Sequence, residues 1–210
     1  MASIAGVLRS AQAFCWDESI GYQMGGNMNP NTDCSGMIWQ ALHDNGFNVG
    51  SSRFDTSNMG TILRAAGFTE YRYNSSFQPQ PGDIFMYNEF VDPQHYNGHA
   101  FFYAENVRGY VNGYHGWDSS LCDGTIGICT TAKIEASGTH NHPEDGDQDN
   151  GYGAHTEVWV HTYSSLTYGS HTWYVYRYGG GPEPPIPIDI EKVLLFKFNK
   201  KKKGGRTLWR

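Results

Sequence analysis

Apolar residues recur at helical spacing three times in the first third of the chain. Ile4, Val7, Leu8, Ala11 and Phe14 follow a 3.6-residue period behind Ser3, which supplies an N-cap. Met37, Ile38, Ala41 and Leu42 mark a second helix that begins near Cys34 and stops at Asn45-Gly46, a left-handed C-cap. Met59, Ile62, Leu63 and Ala66 mark a third, with Asp55 or Thr56 as its cap and Gly67 as its end.

After Gly67 the period changes to two. Phe68 to Tyr73 is a short aromatic strand, and Gln78 to Asp83, with two prolines and a glycine, is a turn. Ile84 to Tyr87, His99 to Glu105 and Tyr110 to His115 are then expected as successive strands of an antiparallel sheet. A further strand or hairpin is expected within Thr125 to Glu135, a polar surface loop over Gly138 to Gly153, and closing strands at Thr156 to Tyr163 and Thr172 to Tyr178. Helices followed by a meander give an α+β domain over residues 1–178, with helices packed on an antiparallel β-sheet. Residues 179–190, rich in Gly and Pro, form a linker to a basic C-terminal segment, 191–210.

Composition adds that this domain has a core and that its charge is divided. With 39% hydrophobic and 15% aromatic residues among 210, the chain is globular. The net charge of −6 hides an asymmetry: residues 191–210 carry eight Lys or Arg against Glu191, or +7, leaving −13 on residues 1–190. An acidic body argues against nucleic acid as its partner. No stretch is long and apolar enough to span a membrane, so a membrane partner is not expected either. The basic segment is either a docking element for a polyanion, polymer or acidic protein, or a flexible end that reads on its own acidic body.

The chemistry converges on Tyr22 to Gly36, Y-Q-M-G-G-N-M-N-P-N-T-D-C-S-G. Here a cysteine stands at the head of the second helix, where unpaired N–H groups and the positive end of the macrodipole favour a thiolate nucleophile. The competing reading is a small buried residue at a helix start. Cys15, Cys122 and Cys129 are the other cysteines. With no C-x-x-C pair, the chain has no evident disulfide framework, and a reducing cytoplasm is the expected site of synthesis.

The stretch resembles the opening signature of the NlpC-type cysteine peptidases, a papain-like family that cleaves peptide bonds in peptidoglycan. Tyr22, Gly25, Gly26, Asp33, Cys34, Ser35 and Gly36 carry the match, followed by P-G-D-I-F at Pro81 to Phe85 and G-H-A-F-F-Y at Gly98 to Tyr103. The resemblance extends over about residues 3 to 178 and implies a Cys34–His99 pair: the imidazole withdraws the thiol proton and later protonates the leaving amine. It also implies a polar group on the strand after the histidine strand that orients the ring. V-N-G-Y-H offers His115, chosen for its likeness to the G-A-H ending of some phage relatives, with Asn112 next and His161 third. Backbone N–H groups of Cys34 and the turn beginning with Ser35 would hold the oxyanion, with the Tyr22 hydroxyl as an added donor.

No cofactor is expected. The acidic run Asp145 to Gly151 departs from a calcium loop in its glycine spacing, and His140, His142 and His155 lack the spacing of a zinc site, so no metal is expected. The partner implied is bacterial peptidoglycan, together with other phage tail proteins through the C-terminal segment. The absence of a secretory signal suggests a phage enzyme, an endolysin in the host cytoplasm before lysis or a tail-associated lysin in the virion. The amide bond cut, as endopeptidase or as N-acetylmuramoyl-L-alanine amidase, is left open. A catalytically inactive wall-binding tail protein and a metal-dependent hydrolase are the alternative classes.

Overall fold

The computed structural model describes residues 2–15, 20, 23–26, 31–92, 95–108, 110–111, 128–137, 157–162 and 171–179. The three expected helices form: α1 (Ile4–Cys15), α2 (Cys34–Asp44) and α3 (Met59–Ala65). Ser3 accepts a hydrogen bond from the Gly6 N–H through its side chain, as the capping pattern requires. At the end of α2 the Gly46 N–H reaches the His43 carbonyl and the Phe47 N–H reaches that of Leu42, the paired bonds of a Schellman ending. Gly46 has φ of +79° there. Gly46→Ala should therefore lower stability by about 1 kcal/mol; an unchanged urea midpoint would contradict that placement.

The third helix is capped differently from the sequence expectation. Asn58 occupies its N-cap without a side-chain cap bond. Asp55 instead accepts from the backbone N–H and hydroxyl of Ser57 in a tight local turn. Such a side-chain turn competes with helix propagation, so α3 begins later than Asp55 or Thr56 would have started it.

The strands are β1 (Phe68–Arg72), β2 (Ile84–Asp92), β3 (His95–Arg108), β4 (Tyr110–Val111), β5 (Ile128–Ser137), β6 (Glu157–Thr162) and β7 (Tyr174–Tyr178). All pair antiparallel, in the order β1-β7-β2-β3-β5-β6-β4. Two features differ from a simple meander. The closing strand β7 enters between β1 and β2, and β4 pairs with β6 at the far edge rather than with β3. The place beside β3 is taken by β5, whose ten residues offer a longer ladder than the two of β4. The β2–β3 hairpin also runs further than expected, so that His95 begins β3 instead of lying in a loop. The linker, the basic segment and the loop 138–153 lie outside the described residues.

Period-two alternation sorts the sheet into two apolar faces. Ile84 and Met86 of β2, Ala100, Phe102 and Ala104 of β3, and Tyr176 of β7 join the helices' Val7, Met37, Ile38, Leu42 and Leu63 in the main core. Phe85, Phe101, Tyr103, Trp173 and Val175 face the other way, against Tyr73, Phe77 and Tyr87. Each fully buried large apolar side chain contributes roughly 1.5–3 kcal/mol. The second face is closed by aromatic contacts, including Phe85 stacked on Phe101 with ring centroids 5.0 Å apart.

The P-G-D turn locks the sheet at its middle. Buried Asp83 receives the Arg177 guanidinium on both oxygens, at 2.7 and 2.6 Å, linking the start of β2 to β7. That hydrogen bonding holds Arg177 more firmly protonated than usual, and the same group lies 5.1 Å from the Phe77 ring centre. Among the described residues no helix is long and apolar enough to cross a membrane.

Candidate active site

The helix bearing Cys34 starts where it does because Asp33 is extended, with φ −111° and ψ −178°, and its side chain accepts from the Gly36 N–H at 2.8 Å. The carboxylate gathers three further donors. Gly25 N–H binds Oδ2 at 2.8 Å, the Ser35 hydroxyl binds Oδ1 at 2.9 Å, and Arg53 Nη2 lies 2.9 and 2.7 Å from the two oxygens. Arg53 also donates through Nη1 to the Gly26 carbonyl. A single buried acid thus joins the glycine loop, the first turn of α2 and the segment before α3.

The glycines of the motif answer to space. A Cβ on Gly26 would come 2.6 Å from the Asn31 carbonyl oxygen, and one on Gly36 would come 2.8 Å from Thr32 Oγ1 and 3.0 Å from the Gly26 carbonyl. The loop is pressed onto the helix head too closely for side chains there. Gln23 N–H bonds to the Thr32 carbonyl at 2.8 Å and completes the seam.

Cys34 is a free thiol, 7% exposed, at the first position of α2. Ser35 is buried beside it, its hydroxyl committed to Asp33 and accepting from Arg53 at 3.2 Å. His99 is half-buried on β3, directly across from Tyr87 of β2. Gly98 before it leaves room for Thr56, whose side chain occupies the place a Cβ would need. α2 packs on β3. Burial, then Cys34 and then Glu89 push the Tyr87 pKa upward, so the phenol remains a neutral donor at physiological pH.

Beyond Tyr87 lies a second histidine. The His171 ring stacks on Tyr87 with centroids 4.2 Å apart and planes 1° from parallel. Its Nδ1 stands 2.8 Å from Glu89 Oε1, an ion-pair distance without the alignment of a hydrogen bond. Trp173 meets the same phenol edge-on at 4.7 Å.

Cys34 and Ser35 thus stand at the head of α2, and His99 stands on β3, the strand against which that helix packs. Tyr22, Asn112 and His115 lie outside the described residues. His161 is on β6, paired with Lys133 of β5, which in turn pairs with Tyr103. It is therefore two strands from β3 and four positions, about 13 Å, along from His99. Among the described residues no group of three or more His, Cys, Asp or Glu is placed to hold a metal ion; the acidic run 145–151 and His140, His142 and His155 are not among them.

The sequence alone does not announce the Arg53–Asp33 pair or the cluster of Tyr87, Glu89 and His171. Tyr87 was legible in part, since period two in an antiparallel hairpin brings a residue of the preceding strand opposite His99. Arg53 and His171 sit in non-periodic stretches whose positions depend on tertiary packing.

No curated protein matches the chain. Residues 20–116, from the glycine loop through Cys34 and His99, match the NlpC/P60 family, whose members are mainly cysteine peptidases that act on cell-wall peptidoglycan.

Proposed function

We propose that the protein hydrolyses an amide bond of peptidoglycan stem peptides through Cys34 and His99. The observation that carries this reading is the position of Cys34: a free thiol at the head of α2, fixed by the Asp33 cap inside the segment that matches the NlpC/P60 family. His99 accepts the thiol proton, and the thiolate attacks the scissile carbonyl to form a tetrahedral adduct. First-turn N–H groups of α2, those of Cys34 and Ser35, receive the developing oxyanion. The imidazolium then protonates the leaving amine as the C–N bond breaks, leaving a thioester. Water activated by His99 cleaves the thioester and restores the thiol. His115 as the group that orients the imidazole, and the Tyr22 hydroxyl as an added donor, belong to the same proposal.

Incubation with purified sacculi tests it. New primary amines should appear, and mass spectrometry of the products should place them either within the stem peptide, as for an endopeptidase, or at its L-alanine, as for an amidase. Prior treatment with iodoacetamide should remove at least about 95% of the release, as expected for loss of an essential nucleophile, whereas EDTA should leave it intact. Release that survives alkylation and disappears with EDTA would mean a metal-dependent hydrolase instead.

A further inference from the structure

We propose that Arg53 is a positioning residue for the Cys34 reaction, acting through Asp33: its guanidinium cancels the charge of the acid beside the nucleophile and holds that acid on the first turn of α2. The inference rests on the reading of Cys34 as a nucleophile, but its test needs no wall substrate.

Asp33 is the N-cap of α2 and Cys34 is the first helical residue. A carboxylate suits the cap, because it accepts the Gly36 N–H at 2.8 Å and complements the helix dipole. For the thiol next to it the same charge is a liability. A like charge at close range opposes ionisation, and the Asp33 side chain is only 7% exposed, so solvent does little to screen it.

The placement of Arg53 removes that conflict. Nη2 lies 2.9 and 2.7 Å from the two Asp33 oxygens and 3.2 Å from the Ser35 hydroxyl, so one nitrogen touches the residues on both sides of Cys34. Nη1 donates to the Gly26 carbonyl and ties the guanidinium to the glycine loop. Held in this way, Asp33 engages the Gly36 N–H and the Ser35 hydroxyl, and the backbone N–H groups of Cys34 and Ser35 are left for the oxyanion. In the described segments that meet at the helix head, 23–26, 31–36 and 51–57, the other charged side chain is Asp55, which is exposed and accepts from Ser57. Arg9 of α1, the helix packed against α2, is also exposed, and His99 of β3 is the proposed base. The Arg53–Asp33 pair therefore sets the charge beside the nucleophile. Neutral as a pair, it leaves the positive end of the helix dipole to favour the thiolate.

The test is the rate at which iodoacetamide alkylates Cys34 in the full chain, read by mass spectrometry of the Cys34 peptide so that Cys15, Cys122 and Cys129 do not contribute. Arg53→Met should slow alkylation at neutral pH about tenfold, the scale of one uncancelled charge close to a titrating group. At strongly alkaline pH, where the thiol is ionised in both proteins, the two rates should coincide. Adding Asp33→Asn to Arg53→Met removes the bare carboxylate and should bring the neutral rate back to within about twofold of the wild type. Asp33→Asn alone keeps the cation and should alkylate at least as fast as the wild type. Unfolding does not imitate this pattern, since it exposes a buried thiol and speeds the reaction at both pH values. An Arg53→Met protein that alkylates at the wild-type rate at neutral pH overturns the proposal. So does one slowed equally at both pH values, because that is altered access, and so does a double variant as slow as Arg53→Met. Where Arg53→Met does not fold, Asp33→Asn decides: a neutral rate below that of the wild type overturns the proposal. Failure to digest sacculi, with the alkylation pattern as expected, would count against the proposed function and leave Arg53 in its role.

Discussion

Cys34→Ser should bring release of amines from sacculi down at least about a thousandfold, with the melting temperature close to that of the wild type. The substitution exchanges sulfur for oxygen in a side chain only 7% exposed, so it leaves packing nearly unchanged. What changes is acidity and nucleophilicity, because a serine hydroxyl at the same helix head stays protonated. His99→Ala should lose activity on a similar scale, since the thiol would lack its base and the leaving amine its acid. The double variant should be little worse than either single one, because the two groups act as a unit. Initial rates on sacculi, with circular dichroism melts alongside, decide the matter. A Cys34→Ser protein retaining a tenth of the wild-type rate would rule out a thiol nucleophile at this position.

The parts of this site that were legible in the sequence are those fixed by local rules. The first and second helices follow from a 3.6-residue pattern and their end signals, and the glycines around Cys34 follow from a loop that must lie against a helix head. His99 stands out in the sequence because G-H-A-F-F-Y sets a histidine ahead of an aromatic strand pattern, although β3 itself begins at His95. The rest depends on partners distant in sequence. Strand order is one case: β7 completes the centre of the sheet and β4 lies at its far edge, although each strand was recognisable by itself. Alternation fixes which face a residue takes but not which strand will be its neighbour. Arg53 and His171 are others, since nothing within S-S-R-F or S-H-T-W announces that one meets Asp33 and the other Glu89. A lone charged or titratable residue in a non-periodic segment acquires its role only from the fold around it.

Arg53→Met should destabilise the fold by about 3 kcal/mol, the scale on which breaking a buried ion pair leaves an uncompensated charge. The pair joins Arg53 Nη2 to Asp33 Oδ2 at 2.7 Å, with side chains 18% and 7% exposed. The variant preserves most of the side chain's bulk and removes the cation, so the Asp33 carboxylate stays enclosed by three N–H or O–H donors without its counter-charge. The Gly26 carbonyl loses its donor at the same time. For a chain of this size the loss corresponds to roughly 6–12 °C in melting temperature. Asp33→Asn should be milder, because an amide oxygen still caps the Gly36 N–H. Combining Asp33→Asn with Arg53→Met should recover part of the loss, since no unpaired charge then remains buried. Urea unfolding of the two single variants and the double gives the coupling directly. If Arg53→Met unfolds at the wild-type midpoint, or if the double variant loses the full sum of the singles, the acid is not held by this cation. The seam between the glycine loop and the head of α2 must then rest on its backbone bonds alone.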